Sequence, residues 1–580
     1  MSRDMAHNPS PALALPTAWR PKLSGGTIAC CVLLALLALF VIYPIYLLVH
    51  DSFTVVRPGG GEGIAFDNWI KVWSEPGLVR ALVNTIYRAV VTIGISLPFA
   101  ILLAWLVART DMPGKGFIIS CAWVAYFMPT LPVLLGWILL LDPQYGLLNK
   151  LLQGWFGLSV APFSIYSFWG IIFAHLMTKA IAIKFIFLIP AFRNISSSLE
   201  EASRISGAGT FYTLRKIVVP VLLPAILITL VISLISSLES FEIELILGTP
   251  WNFHVFSTKI YQLIHDDPPA LGQATVLGVS ILAGMLPFIV LQRAISLKRN
   301  YATFNSAFKS DHLRLRKWRW PIFGGVGFFS LCLTVVPLGF LMVGTFMKAF
   351  GYFELAEPYT MKHWQRVLSD SQFLGAVGNT LQLGLWASGI GTVLAAVIAY
   401  VSVRTKFRWR GAIDTLTWLP ASIPGVILGL GLLSMFLRLP LFSPFYGTIG
   451  VLVLAVLFAS LTTGTQLIKS NLIQLGVDLE EASTLTGAPW FYTFRRIVLP
   501  LVGGALVSVA VLIFASATRN VANIAMLVTN QNKPLAMLQI DYMADGIFEA
   551  ASIVGVITVL ITCGVAGGVF WLGKLMGLRI

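Results

Sequence analysis

The chain has 580 residues, 57% of them apolar and only 11% charged, with a mean hydropathy of +0.83. A soluble domain carries about 25% charged residues, so this surface cannot face water over most of its area, which excludes a disordered chain, a secreted disulfide scaffold and an ordinary cytosolic enzyme. The net charge of +15 then reads as basic loops on the cytoplasmic side of a membrane, not as a nucleic-acid surface.

A membrane-spanning helix needs about 20 apolar residues. After a tail over residues 1–27, such runs fall at 28–49, 85–108, 117–141, 166–190, 216–238 and 274–293. A basic linker over 296–320 follows, then runs at 322–347, 380–403, 412–437, 447–470, 498–520 and 551–574. The expected fold is an all-α polytopic membrane protein of about twelve spans. The two halves are expected over 28–295 and 321–580, with the linker a solvated connector. The first apolar run is too long for a cleaved signal and has no small-residue cleavage site after it. With the termini on the cytoplasmic side, 26 of the 40 Lys and Arg fall in inside segments and 10 outside. That asymmetry predicts both termini in the cytoplasm. The five cysteines lie in or beside apolar runs without metal-ligand spacing and read as small core residues.

The two halves are copies of one unit. Residues 201–220 (EASRISGAGTFYTLRKIVVP) and 481–500 (EASTLTGAPWFYTFRRIVLP) agree at 12 of 20 positions with an offset of 280. Trp69, Asn84, Thr85, Arg109 and Thr110 match Trp364, Asn379, Thr380, Arg404 and Thr405 at an offset of 295. The first copy therefore holds about 15 extra residues, expected in the outer loop near 142–165. Six spans per copy imply one shared orientation and a pseudo-two-fold axis along the membrane normal.

The repeated segment lies on the cytoplasmic side between the fourth and fifth spans of each half. Ser198 with Glu201, and Asp478 with Glu481, have the spacing of a capping box. Gly207 and Gly487 are placed to end the short helix in a left-handed conformation. Ala202 and Ala482 keep its surface small, and Phe211–Tyr212 and Phe491–Tyr492 offer bulky contacts. Pro220 and Pro500 mark entry into the next span, at a first turn where the lost N–H costs little. A plain connector has no reason to be duplicated this closely; a twice-presented short helix suits docking into a groove on a partner.

At these residues the chain resembles the permease subunits of binding-protein-dependent ABC importers, in the form that fuses both halves of the pore. Their cytoplasmic signature is matched at Glu481, Ala482, Gly487, Ile497, Leu499 and Pro500, and at Glu201, Ala202, Gly207, Ile217 and Pro220. Ser203 and Ser483 stand for its second alanine, and Val219 for its leucine. The resemblance covers roughly residues 80–295 and 375–575. It implies the type I importer permease fold, similar to the methionine permeases, in a bacterial inner membrane. It further implies that Glu201, Ala202, Gly207, Phe211, Pro220, Glu481, Ala482, Gly487, Phe491 and Pro500 form coupling helices received by ATPase subunits, expected as two copies. A periplasmic binding protein is the implied donor of cargo; membrane lipid is the only other expected partner, with no nucleic acid and no cofactor. Neither Gly114-Lys115-Gly116 nor Gly573-Lys574-Leu575 completes a phosphate-cradling loop, so the chain is expected not to be an enzyme and ATP hydrolysis falls to another chain.

Ionisable groups in a span mark a pathway or a partner. Glu239, Glu242 and Glu244 lie near the outer end of the fifth span, and the offset of 280 maps Glu239 onto Arg519. Glu239, Glu242 and Arg519 are therefore expected on the translocation pathway, with Glu239 and Arg519 facing each other as a gate, the alternative being that each reaches interfacial water. Arg88, Lys179 and Lys184 are expected to snorkel from helix ends. The flanking residues 238–242, 248–250 and 256–261 resemble the ferric-iron type of fused permease. Relatives for thiamine, aminoalkylphosphonate, polyamines and sulfate are similar there. An ion-coupled secondary transporter with two six-span repeats is the alternative of a different class, but it gives no reason for the twin motif.

Overall fold

The computed structural model describes residues 25–56, 62–194, 202–203, 205–298, 313–476 and 478–575. The expectations placed on residues 1–24, Ser198, Glu201 and most of the linker fall outside them. Among the described residues ten helices are long and apolar enough to cross a membrane, or up to twelve spans if each of two bent pairs counts as one. Among the described residues the fold is helical apart from a short hairpin, Thr54–Val56 with Glu62–Ile64.

The bent pairs correct two expected spans. The runs at 117–141 and 412–437 are not straight helices: Lys115–Phe127 meets Thr130–Leu141 at 105°, and Arg410–Ser422 meets Gly425–Arg438 at 111°. Pro129 and Pro424, 295 residues apart, sit at the breaks. A proline drives the residue before it into extended backbone and supplies no N–H to continue the ladder. Met128 accordingly has φ −63° and ψ 136°. The arm beyond each break has 12 or 14 residues, too few to span and apt for a re-entrant segment. All of Thr130–Leu141 is buried, and so are Gly425–Leu433, Met435 and Phe436 of the second arm.

Each arm is covered by the opposite half. The first span, Gly25–Phe53, packs on Gly425–Arg438, and Arg316–Phe346 packs on Thr130–Leu141. Contact is closest where a glycine of the arm faces a proline of the covering helix. A Cβ on Gly136 would lie 2.0 Å from the Pro337 carbonyl oxygen, and one on Gly431 would lie 3.0 Å from that of Pro44. Arg438, at the end of the second arm, pairs with Asp51 of the first span at 2.8 Å.

The repeated Asn-Thr landmarks pin distant segments of their own halves. Thr85 Oγ1 accepts the N–H of Phe256 at 2.9 Å, and Thr380 Oγ1 accepts that of Leu535 at 2.8 Å. Asn84 donates to the His254 carbonyl, and Asn379 to those of Gln531 and Lys533. These bonds hold the short helices Phe256–His265 and Leu535–Ala544 against the second span of each half. Trp69 and Trp364 ride on a second repeated pair, the amphipathic helices Asp67–Ser74 and Lys362–Ser369. The excess of the first copy is the helix Leu147–Phe156. The C-terminal end of the linker docks as well: Leu313 and Leu315 bond to the backbone of Arg109 and Asp111 and to the Asp111 side chain.

The glycine seats give a graded prediction. Gly136→Ala meets an immovable carbonyl and should destabilise by about 1–3 kcal/mol, the usual cost of overpacking. Gly431→Ala, with one ångström more room, should cost less. Thermal unfolding of both variants in nanodiscs checks the order; equal or inverted shifts would contradict the packing.

Candidate functional site

Each half carries one elbow between two of its long helices. In the second half a helix, Asp478–Leu485, opens with Asp478, Glu480 and Glu481, whose charges suit the positive end of a helix dipole. Asp478 is its first helical residue rather than a residue before it. Glu480 pairs with Arg404 at 2.8 Å, and Arg404 also donates to the carbonyls of Leu472 and Leu475. One arginine thus ties the elbow to the ends of two membrane helices. Gly487 ends the turn at φ +81°, and Gly207 does so at φ +78° in the first half. A side chain at either position would be strained.

The serines that replace the second alanine of the motif have a shared role. Ser203 Oγ lies 2.8 Å from Thr213 Oγ1, and Ser483 Oγ lies 2.8 Å from Thr493 Oγ1. All four residues are buried. Each elbow is thereby welded to the start of the helix that follows it. Ala482, Glu481, Leu485, Phe491 and Tyr492 remain exposed, as do Ala202, Ile205 and Tyr212. Ala202, Ser206, Gly207, Gly209 and Tyr212 line an open hollow. Glu201 and the side chain of Phe211 fall outside the description.

Pro220 and Pro500 are not at a first turn. The helix runs without a gap from Thr210 to Leu238 and from Trp490 to Arg519, so both prolines are interior to it. Five-residue π-turns, Leu214–Val218 and Phe494–Val498, precede them. Proline lacks the N–H for the carbonyl four residues back and its ring crowds that carbonyl. A π-turn opens the ladder at that place. Both prolines are exposed.

At the far ends of these two helices lies a cavity of about 320 Å³. Glu239, Glu242, Lys179, Arg519, Asn523 and Ser236 are among its lining residues, so the structure brings the three sequence-selected charges to one place. Lys179 faces this space close enough to interact electrostatically with Glu239, Glu242 and Arg519. Glu239 and Arg519 do not pair with each other among the described ion pairs. Arg519 donates to the backbone carbonyl of Tyr126 and lies over the Tyr126 ring, 5.1 Å from its centroid.

The expected snorkelling fails for two residues. Arg88 is fully buried and pairs with the fully buried Glu244 at 2.9 Å. It also donates to the hydroxyl and the carbonyl of Ser237. Glu244 is completed by His175 at 2.8 Å and Ser240 at 2.6 Å. Lys184 is buried and donates to the Ala180 carbonyl at 2.9 Å. Arg88 looked like an end residue because its helix begins at Pro76, nine residues before the apolar run that marks it. Its partner lies far along the chain, beyond any local signal.

Breaking a buried pair strands a charge at about 3–5 kcal/mol. Glu244→Gln should therefore lower the yield of folded protein sharply. The joint replacement Arg88→Met with Glu244→Leu should recover much of it, read as monodisperse material after extraction. A single variant as stable as the parent would contradict the pairing.

Residues 78–301 and 390–573 match the family described as binding-protein-dependent transport system inner membrane component. A protein of Haemophilus influenzae provisionally named a ferric transport system permease is 28% identical, covering 86% of this chain and 77% of its own. The ferric transport system permease protein of Actinobacillus pleuropneumoniae is 26% identical, over 91% and 75%. A solved bacterial ABC transporter that imports alginate superposes with a TM-score of 0.39 at 22% identity, covering 47% of this chain and 96% of that one.

Proposed function

This chain belongs to the family of binding-protein-dependent transport system inner membrane components, and on that premise we propose that it is the fused permease of a ferric-iron importer. Membership makes it a multi-pass inner-membrane permease subunit of an ABC importer, a transport component that works with ATPase subunits and a periplasmic binding protein. The iron assignment draws on the printed names of the ferric relatives and on the flanking residues 238–261.

In this reading residues 28–295 and 321–580 are the two pore halves, and both termini face the cytoplasm. Two ATPase subunits receive the elbows at Glu201, Ala202, Gly207, Phe211 and Pro220, and at Glu481, Ala482, Gly487, Phe491 and Pro500. Glu239, Glu242 and Arg519 line the pathway. The observation that carries the coupling role is the duplicated weld between Ser203 and Thr213 and between Ser483 and Thr493. A loose connector has no use for a buried bond to the next membrane helix, whereas a lever needs one. When the ATPases close, each elbow moves with the helix it is bonded to, and the far ends of those helices meet at the charged cavity.

Three measurements test this. Gly487→Val, strained at its left-handed position, should leave membrane insertion intact and reduce co-purification of the ATPase; full retention would refute the docking role. Thr493→Val should keep most ATP hydrolysis in the assembled complex while transport per ATP falls, and Thr493→Ser should restore it. Deletion of the gene should abolish uptake of radiolabelled ferric iron presented with its binding protein. Unchanged uptake would remove iron as the cargo and leave the importer assignment standing.

A further inference from the structure

The connection from the arm to the next span runs over residues 142–167 in the first half and only 439–448 in the second. The longer one is built as a closed unit. The chain turns at Asp142, whose carboxylate accepts the N–H groups of Gln144 and Tyr145 at 2.7 and 3.1 Å. The helix Leu147–Phe156 follows and ends at Gly157, with φ +62°. The chain then returns to its start, where the Ile165 N–H meets the Leu141 carbonyl at 3.3 Å. Asn149 locks the loop from inside and is only 1% exposed. Its amide donates to the carbonyls of Asp142 and Phe163 at 2.9 and 2.8 Å, and its oxygen accepts the Phe163 N–H at 3.0 Å. With its polar centre satisfied in this way, the loop holds one fixed exposed face.

That face is apolar. Trp155, Phe156 and Val160 are 73%, 68% and 75% exposed, with Leu151, Leu158 and Phe163 exposed beside them. An apolar patch of this kind marks a covering partner, and its surroundings say which. The loop sits where membrane spans end. Tyr145 packs on Phe350 and Tyr352, at 6.1 and 6.3 Å between ring centroids, just past the end of the span Arg316–Phe346. Phe168, at the other end of the loop, opens the span Phe168–Arg193. The patch also continues into the apolar surface of the spans. Phe168 stacks on Tyr87 at 4.9 Å, and Tyr87 is exposed together with Val83, Ile86 and Val90 on the span Pro76–Arg109. Trp169, 65% exposed, stands between the two surfaces. Tryptophan and tyrosine concentrate where a bilayer meets water. A face made for a soluble protein carries a polar rim, whereas Lys150 is the only charged residue from 143 to 169, on a stem long enough to reach water or headgroup phosphates.

We infer that this insertion is an interfacial anchor. Its exposed face, centred on Trp155, Phe156 and Val160, lies in the headgroup and upper acyl region of the bilayer, and the helix Leu147–Phe156 runs along the membrane surface. The occupant of the face is lipid. Asp142 and Asn149 join the anchor to Leu141, the last residue of the arm, so the bilayer holds the free end of a segment too short to span it. The inference goes beyond the importer reading and requires only that the chain sits in a membrane; neither the cargo nor the coupling role of the elbows enters it.

The test uses the full chain in phosphatidylcholine nanodiscs, with its five cysteines replaced and a bimane dye on a single Val160→Cys substitution. Quenching is read from lipid carrying a doxyl group high on its acyl chain and, separately, from iodide in the buffer. The same dye on Asp545→Cys, at an exposed charged position, is the water reference. Doxyl lipid should quench the dye at position 160 strongly, and iodide should quench it several-fold less than at the reference. Trp155→Asp with Phe156→Asp, both on the exposed face and away from Asn149, should reverse that ranking while the protein stays monodisperse. Should this variant not assemble, the comparison of the two dye positions decides. Iodide quenching at position 160 equal to the reference, without a doxyl effect, would place the face in water and overturn the inference. Shielding from iodide that appears only when the periplasmic binding protein is added would make a protein the occupant and overturn it equally.

Discussion

An unpaired backbone amide or carbonyl cannot be left in hydrocarbon, and this constraint organises the molecule. A continuous helix satisfies it unaided. Two of the twelve apolar runs do not, because Pro129 and Pro424 interrupt them and turn the chain through more than a right angle. The loose ends have to be met by something, and the rest of the molecule supplies it. The first span of each half lies over the other half's arm, with a glycine seated against a proline carbonyl. Arg519 completes the polar side of the first break by donating to the Tyr126 carbonyl. The halves therefore interlock through their irregular backbone.

Duplication makes the design readable because the copies kept their geometry where mechanical continuity demands it and diverged elsewhere. The Ser–Thr weld, the left-handed glycine, the π-turn with its proline and the Asn-Thr pins all recur at matching positions. The charges do not recur. Arg88 and Glu244 form a buried pair in the first half, while their counterparts, Leu383 at an offset of 295 and Ile524 at 280, are both apolar and buried. A hydrophobic replacement of similar volume is a workable substitute for a buried ion pair, and the two halves illustrate both solutions within one chain.

The membrane spans, the twofold repeat and the twin elbow were legible in sequence because each rests on a local signal: an apolar run, a fixed offset, a motif. The breaks at Pro129 and Pro424 carried such a signal too, since two prolines 295 residues apart in otherwise apolar runs obey the landmark spacing; a hydropathy window averages over a single residue and hides it. The prolines after the elbows misled for the opposite reason. Proline next to an apolar run reads as a helix start, and only the π-turn ahead of it shows that the helix has already begun. The partners of Arg519 and Glu244 were out of reach. The first contact runs to a main-chain carbonyl and the second crosses the chain from Arg88, so no side-chain pattern announces them.

The interlock also bears on how the chain is made. The arm around Gly136 emerges from the ribosome about 200 residues ahead of Pro337, the residue that covers it. At about 5–20 residues per second, that leaves a nascent first half roughly 10–40 s without its lid. Fusing both halves into one polypeptide fixes that delay and ensures that the cover arrives in the same bilayer and in equal number, which separately encoded halves would have to achieve by diffusion.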